Sequence, residues 1–285
     1  MTTVTDLTEA LQQLVLERSN AELFGVAPVE RLHHAPLGSR PGDYLPKARC
    51  VVVLAESIPE TIIDVAGHYG EPGKTLGPYM WYGYSMLNWD LSATAMKAAK
   101  FLEARGFKAL PFPPTGLLYK FGDRADFSHR HAAVAAGLGE FGTSGLLLTP
   151  EFGPRQRLVS IITDAPLEPS PMYGGPALCR PEICGMACVA ACPTGALTET
   201  VSVIIGDRVV EYAKAHPVKC RWPFPEKGYR RTKVTMPHDP SLEDLEDAVR
   251  SNPLHPYDAE LGRQTFVPQC GACIFACPAP GFRNL

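Results

Sequence analysis

Apolar residues near the start of the chain recur at helical spacing. Leu7, Leu11, Leu14 and Val15 share one face, and Asp6 with Glu9 three positions on reads as a capping box. This predicts a helix over about residues 6–18. Cys50-Val-Val-Val-Leu-Ala55 is a β-branched apolar run and predicts a buried strand. The Gly- and Pro-containing stretch 56–80 reads as loop. A long helix is predicted from Leu87 to Arg105, stopped by Gly106, then a strand from Lys108 to Phe112. A further helix over about 128–136 ends at Gly137. Leu146–Thr149 and Leu158–Thr163 are apolar runs joined by a turn-rich segment, and read as two paired strands. Ser241 is a plausible N-cap for an acidic helix reaching Arg250, expected to be a solvated surface helix.

Composition changes near Ala165, where Pro and Gly crowd into the stretch to Pro176. That places a boundary between a domain at 1–168 and one at 169–285, the latter with an insertion at about 221–268. The 285 residues are 45% hydrophobic and 20% charged, which excludes a wholly disordered chain. A net charge of −3 advertises no basic nucleic-acid face, so a nucleic-acid partner is not expected. No run is long and apolar enough to span a bilayer. Met1 to Asn20 lacks an apolar signal core and a twin-arginine pair, so the expected setting is cytoplasmic, with no membrane partner.

Nine cysteines in a reducing compartment point to metal ligands before disulfides. Eight follow the boundary, as Cys179-x4-Cys184-x3-Cys188-x3-Cys192-Pro193, then Cys220, then Cys270-x2-Cys273-x3-Cys277-Pro278. In two-cluster bacterial ferredoxins, three close cysteines wrap one cluster and the fourth, before a proline, ligates the other. On that scheme Cys179, Cys184, Cys188 and Cys277 hold one [4Fe-4S] cluster, and Cys192, Cys220, Cys270 and Cys273 hold a second. Zinc sites and disulfides are the alternatives; zinc favours paired two-residue spacings and needs no proline. Cys50, among valines, reads as a buried small hydrophobe.

The order of motifs resembles a known family. Ala136-Gly-Leu-Gly-Glu-Phe-Gly142 runs into Gly145-Leu-Leu-Leu-Thr-Pro-Glu-Phe-Gly-Pro-Arg155, and Thr163-Asp-Ala-Pro-Leu167 and the cysteines follow. This is similar to epoxyqueuosine reductase and the corrinoid reductive dehalogenases, over about residues 45–60 and 120–280. The resemblance implies an α+β fold: a nitroreductase-like α/β domain that holds base-off cobalamin, followed by a ferredoxin-like domain whose two clusters deliver electrons to it. Only eight residues follow Cys277, so the helical-repeat extension of many epoxyqueuosine reductases is not expected.

By the same resemblance, Gly137, Gly139, Gly142, Ser144, Gly145 and Leu146 would lie against the corrinoid. On residue type alone, the glycines read equally as a helix end and a tight turn. Arg155 and Arg157 offer donor forks to the corrinoid tail or to an anionic substrate, or else mark a solvated hairpin tip. Asp123 falls where the family carries a catalytic aspartate, and Tyr119 is the rival proton donor. Tyr79, Trp81, Tyr82, Tyr84 and Trp89 line either a substrate pocket or a core.

The expected function is a cytoplasmic iron–sulfur, cobalamin-dependent reductase of a small molecule, supplied by an external donor such as a ferredoxin, flavodoxin or similar reductase. The alternative is a ferredoxin-like electron-transfer protein that serves a separate redox partner without cobalamin.

Overall fold

The structure, a computed structural model, describes residues 3–68, 78–115, 126–222, 235–251 and 270–281. Helix α1 (Val4–Glu17) begins one turn before the expected cap: Thr3 accepts from the Asp6 amide, and the Asp6 carboxylate accepts from the Thr3 amide. A four-stranded antiparallel sheet follows, built from β1 (Leu23–Pro28), β2 (Cys50–Ser57), β3 (Ala109–Phe112) and β6 (Gln156–Thr163), in the order β1-β2-β6-β3.

Alternation along the central strands sends side chains to two cores. Val52, Leu54, Val159 and Ile161 pack beneath α1 and α3 (Met86–Glu103), against Leu11, Leu91, Ala95 and Leu102. Val51, Val53, Ala55 and Ile162 face α4 (His129–Ala135) on the other side. A mixed α/β architecture thus replaces the simple β-hairpin expected for 146–163. Leu147–Leu148 (β5) pairs with Glu140–Phe141 (β4), whereas β6 pairs with β2 and β3. The intervening turn closes on itself through Thr149 and Gly153, and both edges of β6 are taken by other strands.

One further expectation is corrected. The stretch expected as loop contains α2 (Glu60–His68), whose Ile63 is buried; residues 69–77 lie outside the described residues. Strand β1 carries Gly25 in its middle because a Cβ there would lie 2.7 Å from the Ala136 carbonyl oxygen, where the end of α4 crosses the sheet.

Beyond residue 169 the chain forms short helical turns and the hairpin β7 (Glu199–Ile205) and β8 (Arg208–Lys214), with Gly206 at positive φ in the turn. Ile205 joins the α4-side core. Helix α5 (Leu242–Ser251) is capped by Ser241, whose Oγ accepts from the Asp244 amide. It is more than a solvated surface helix: Leu245 and Ala248 pack on the fully buried Trp222. No helix among the described residues is long and apolar enough to cross a membrane.

The sheet also buries a carboxyl group. Glu56 on β2 is 8% exposed, and its Oε2 has no hydrogen-bond partner. Burial first, then the neighbouring Asp90 and Glu22, pushes its pKa up to about 8. The folded state therefore holds this proton more tightly than the unfolded chain, so stability falls as pH rises from about 4.5 to about 8. Wild-type protein should lose on the order of a few kcal/mol across that window from this group. Glu56→Gln should flatten the slope, as measured by melting temperatures at about pH 5.5 and 8.5. Parallel pH profiles for the two proteins would contradict this assignment.

Candidate functional site

Two cavities organise the eight cysteines. The larger, about 470 Å³, is lined by Cys192, Cys220, Cys270 and Cys273. The smaller is lined by Cys179, Cys184, Cys188 and Cys277. These are the two quartets expected from spacing. The thiols also feel one another electrostatically, and Cys273 feels Cys188 of the other quartet as well as Cys220 and Cys270. Cys220 couples most strongly to Cys270 and Cys192, and Cys277 to Cys188 among the cysteines. Burial, and then the like-charged neighbours, pushes Cys273 up to about 12 and Cys277 up to about 11. Such crowding of thiols disfavours bare thiolates and suits a positively charged inorganic core.

Backbone amides point at the sulfurs. Thr143 N donates to Cys179 Sγ at 3.2 Å, Ala196 N to Cys192 Sγ at 3.2 Å and Ala272 N to Cys270 Sγ at 3.4 Å. Such donors stabilise thiolate ligands and tune cluster potentials. Among the described residues, no three His, Cys, Asp or Glu side chains converge closely enough to hold a single metal ion.

Arg155 is a strap. Its guanidinium donates to the carbonyls of Cys277 (2.6 Å) and Ala279 (2.7 Å), pinning the C-terminal cysteine segment to the turn before β6. Arg157 instead lines the large cavity. Its Nε donates to Asn88 Oδ1 at 2.9 Å, and its guanidinium lies over the Tyr84 ring at 4.2 Å.

The glycine-rich stretch is divided between the cavities and the protein interior. Space for a Cβ at Gly137 is filled by the Pro171 carbonyl, at Gly139 by the Leu148 carbonyl and at Gly145 by the Ala213 carbonyl. At these three glycines the side where a Cβ would stand is taken by main chain. Gly142 and Ser144 line the smaller cavity, and Leu146 lines the larger. Tyr119 and Asp123 lie outside the described residues.

The aromatic group also divides. Tyr79 and Tyr84 are buried and line the large cavity, while Trp81, Tyr82 and Trp89 are exposed. A π-type turn over Trp81–Ser85, with Met86 N bonded to Trp81 O, precedes α3. Its wider pitch lets residues five apart share one side. Gly83 makes room, since a Cβ there would be 3.0 Å from the Tyr79 ring.

Several site residues carry no spacing signal. Glu140 Oε1 accepts from the amides of Leu178 (2.7 Å) and Cys179 (2.9 Å), anchoring the first cysteine. Arg130 opens into the large cavity and donates to the Gly145 carbonyl. His129 is wedged between Ser160 Oγ (2.9 Å) and the Pro113 carbonyl (2.8 Å), and burial lowers its pKa to about 4. Phe127, Leu158, Leu197 and Ile274 give the cavity apolar walls; Thr115, Ser128 and Arg130 give it hydrogen-bonding groups. This lining combines apolar walls with a few hydrogen-bonding groups.

No family model matches the chain. It is 31% identical over 187 residues to the tetrachloroethene reductive dehalogenase of Dehalobacter restrictus, covering 65% of this chain and 28% of that protein. It is 40% identical over 77 residues to the epoxyqueuosine reductase of Listeria monocytogenes, covering 26% of this chain and 18% of that protein. Among solved structures, a reductive dehalogenase linked to B12-dependent dehalogenation matches with a TM-score of 0.58 at 17% identity, covering 92% of this chain and 37% of that one. An epoxyqueuosine reductase matches with a TM-score of 0.55 at 19% identity, covering 97% and 66%. The chain is thus similar in sequence to a tetrachloroethene reductive dehalogenase and to an epoxyqueuosine reductase, and shares its fold with solved structures of both kinds. It spans 28% of the length of the dehalogenase relative from Dehalobacter restrictus.

Proposed function

We propose that this chain is an iron–sulfur, cobalamin-dependent reductase that acts on a small molecule by reductive dehalogenation or deoxygenation. The observation that carries the reading is the shared cavity: the Cys192, Cys220, Cys270 and Cys273 quartet opens into the same space as Tyr84, Leu146 and Arg157. A cluster on that quartet would lie beside whatever the cavity holds. A cluster on Cys179, Cys184, Cys188 and Cys277 would take electrons from an external ferredoxin, flavodoxin or similar donor in the cytoplasm.

Bound in the large cavity, a corrinoid would supply a reductant strong enough to break a carbon–halogen or carbon–oxygen bond. The chain's own residues set the conditions around it. Leu146, Leu158 and Phe127 exclude water from the walls. Arg157, fixed by Asn88 and Tyr84, orients a polar or anionic group. Asp123 holds the proton for the reductive step, with Tyr119 as the alternative donor. Support for the aspartate comes from a solved epoxyqueuosine reductase of Bacillus subtilis that has an aspartate catalytic loop swung out of its active site.

A small-molecule substrate is favoured by the chain's net charge of −3. One solved epoxyqueuosine reductase is bound to a tRNA stem loop, so an RNA stem loop belongs in the substrate comparison. The test is anaerobic reconstitution with hydroxocobalamin followed by gel filtration. Cobalt should co-elute with the protein at about one per chain and show a base-off absorption spectrum. Folded, cluster-loaded protein that never retains cobalt would favour the electron-transfer alternative.

A further inference from the structure

A hydrogen-bonded chain leads away from the large cavity. Ser128, at the start of α4, lines the cavity. Its Oγ is 2.6 Å from His131 Nδ1. On the other side of the ring, His131 Nε2 is 2.9 Å from the hydroxyl of Tyr212 on β8. Neither His131 nor Tyr212 lines the cavity, and Tyr212 keeps part of its surface exposed. Phe141 stacks on Tyr212 at 4.4 Å and packs edge-on against His131 at 5.0 Å, so both rings share one apolar contact.

From this geometry we infer that Tyr212, His131 and Ser128 form a proton relay that carries protons from outside water to the large cavity. The inference rests on the reductase reading, in which each turnover draws a proton from a group at the cavity. The transfer balances without any change of oxidation state. Ser128 passes its hydroxyl proton into the cavity, and its oxygen takes the proton on His131 Nδ1. His131 Nε2 takes the Tyr212 proton, and Tyr212 takes one from water, leaving hydroxide outside; a turn of the imidazole between turnovers then restores its Nδ1–H form.

The chemistry of each group fits that role. Burial, together with the Arg130 cation, lowers the His131 pKa to about 4, so the ring is neutral near pH 7. A neutral imidazole presents one donor and one acceptor, as a relay needs. Several other polar groups of the lining are engaged elsewhere: both nitrogens of His129 are hydrogen-bonded, Thr194 Oγ1 donates to the Lys219 carbonyl, and Tyr84 and Thr115 pair with each other at 3.0 Å. Arg130 keeps its proton at any working pH.

Tyr212→Phe removes one oxygen and keeps the stacked ring, so it should fold. With a chemical reductant in excess, its steady-state turnover should fall by about tenfold or more, with KM little changed. His131→Gly should show the same loss. Added imidazole should restore it, whereas 1-methylimidazole, which fills the space but has no ring N–H in its neutral form, should not. Full activity in Tyr212→Phe, or equal rescue by both imidazoles, would overturn the relay. A second readout is independent of turnover. Nitrogen-15 spectra of histidine-labelled holoprotein should show a neutral His131 protonated on Nδ1, because the more acidic phenol donates to Nε2. A doubly protonated ring at pH 7 would refute the relay. Failure of wild-type protein to turn over any halogenated or epoxide substrate would instead count against the reductase reading, with the spectra still deciding the relay.

Discussion

Cys273→Ser and Cys188→Ser should each remove about four of about eight iron atoms per chain, and each from a different cluster. The quartets share no cysteine, and each lines its own cavity. Loss of one thiolate leaves a four-iron cube with three corners held, whereas the other quartet keeps all its ligands. The variants should differ in consequence. Cys273 belongs to the quartet that opens into the large cavity, so its loss should abolish reduction of a bound corrinoid even by a strong chemical donor. Cys188 belongs to the smaller cavity, so its loss should stop electron entry from a protein donor. Direct chemical reduction should survive. Iron analysis and low-temperature electron paramagnetic resonance of the reduced variants check both statements. Loss of all iron from either variant would mean that the quartets do not hold independent clusters.

Asp123→Asn should lower turnover by at least about tenfold, within the usual range for a general acid. Two-electron cleavage of a carbon–halogen or carbon–oxygen bond leaves a carbanion or alkoxide that must be protonated. A carboxyl group can deliver that proton only if it is protonated when substrate is bound, which requires an environment that raises its pKa. The amide of asparagine keeps the shape and removes the acid. The assay should use a chemical reductant so that electron supply is not limiting, and both clusters and cobalt should stay bound. Unchanged turnover in Asp123→Asn, with a large loss in Tyr119→Phe, would move the proton to the tyrosine.

The parts of the site that were legible are those written in local spacing. Both cysteine quartets follow from loop lengths and from the two Cys-Pro pairs, and the cavities reunite the same residues across almost a hundred positions. Strand β2 was legible because Val51, Val52 and Val53 are buried on both faces of the sheet. Where a residue type suits several partners, the pattern is silent. Arg155 and Arg157 are two apart, and only the packing shows that one grips the Cys277 segment while the other faces the cavity. Gly139 reads alike whether it admits a cofactor or the Leu148 main chain. Strand β1 is disguised by Gly25, whose reason lies in α4. Tyr79 and Tyr84 fit neither a helical nor a strand period, because the π-type turn sets their register. The β7–β8 hairpin carries a visible alternation, with Gly206 and Asp207 at its turn.

The most direct test of the central claim is metal content. Protein purified without oxygen and loaded with hydroxocobalamin should contain about eight iron atoms and about one cobalt per chain, with negligible zinc. Fewer than about three iron atoms with stoichiometric zinc would contradict the account at its base.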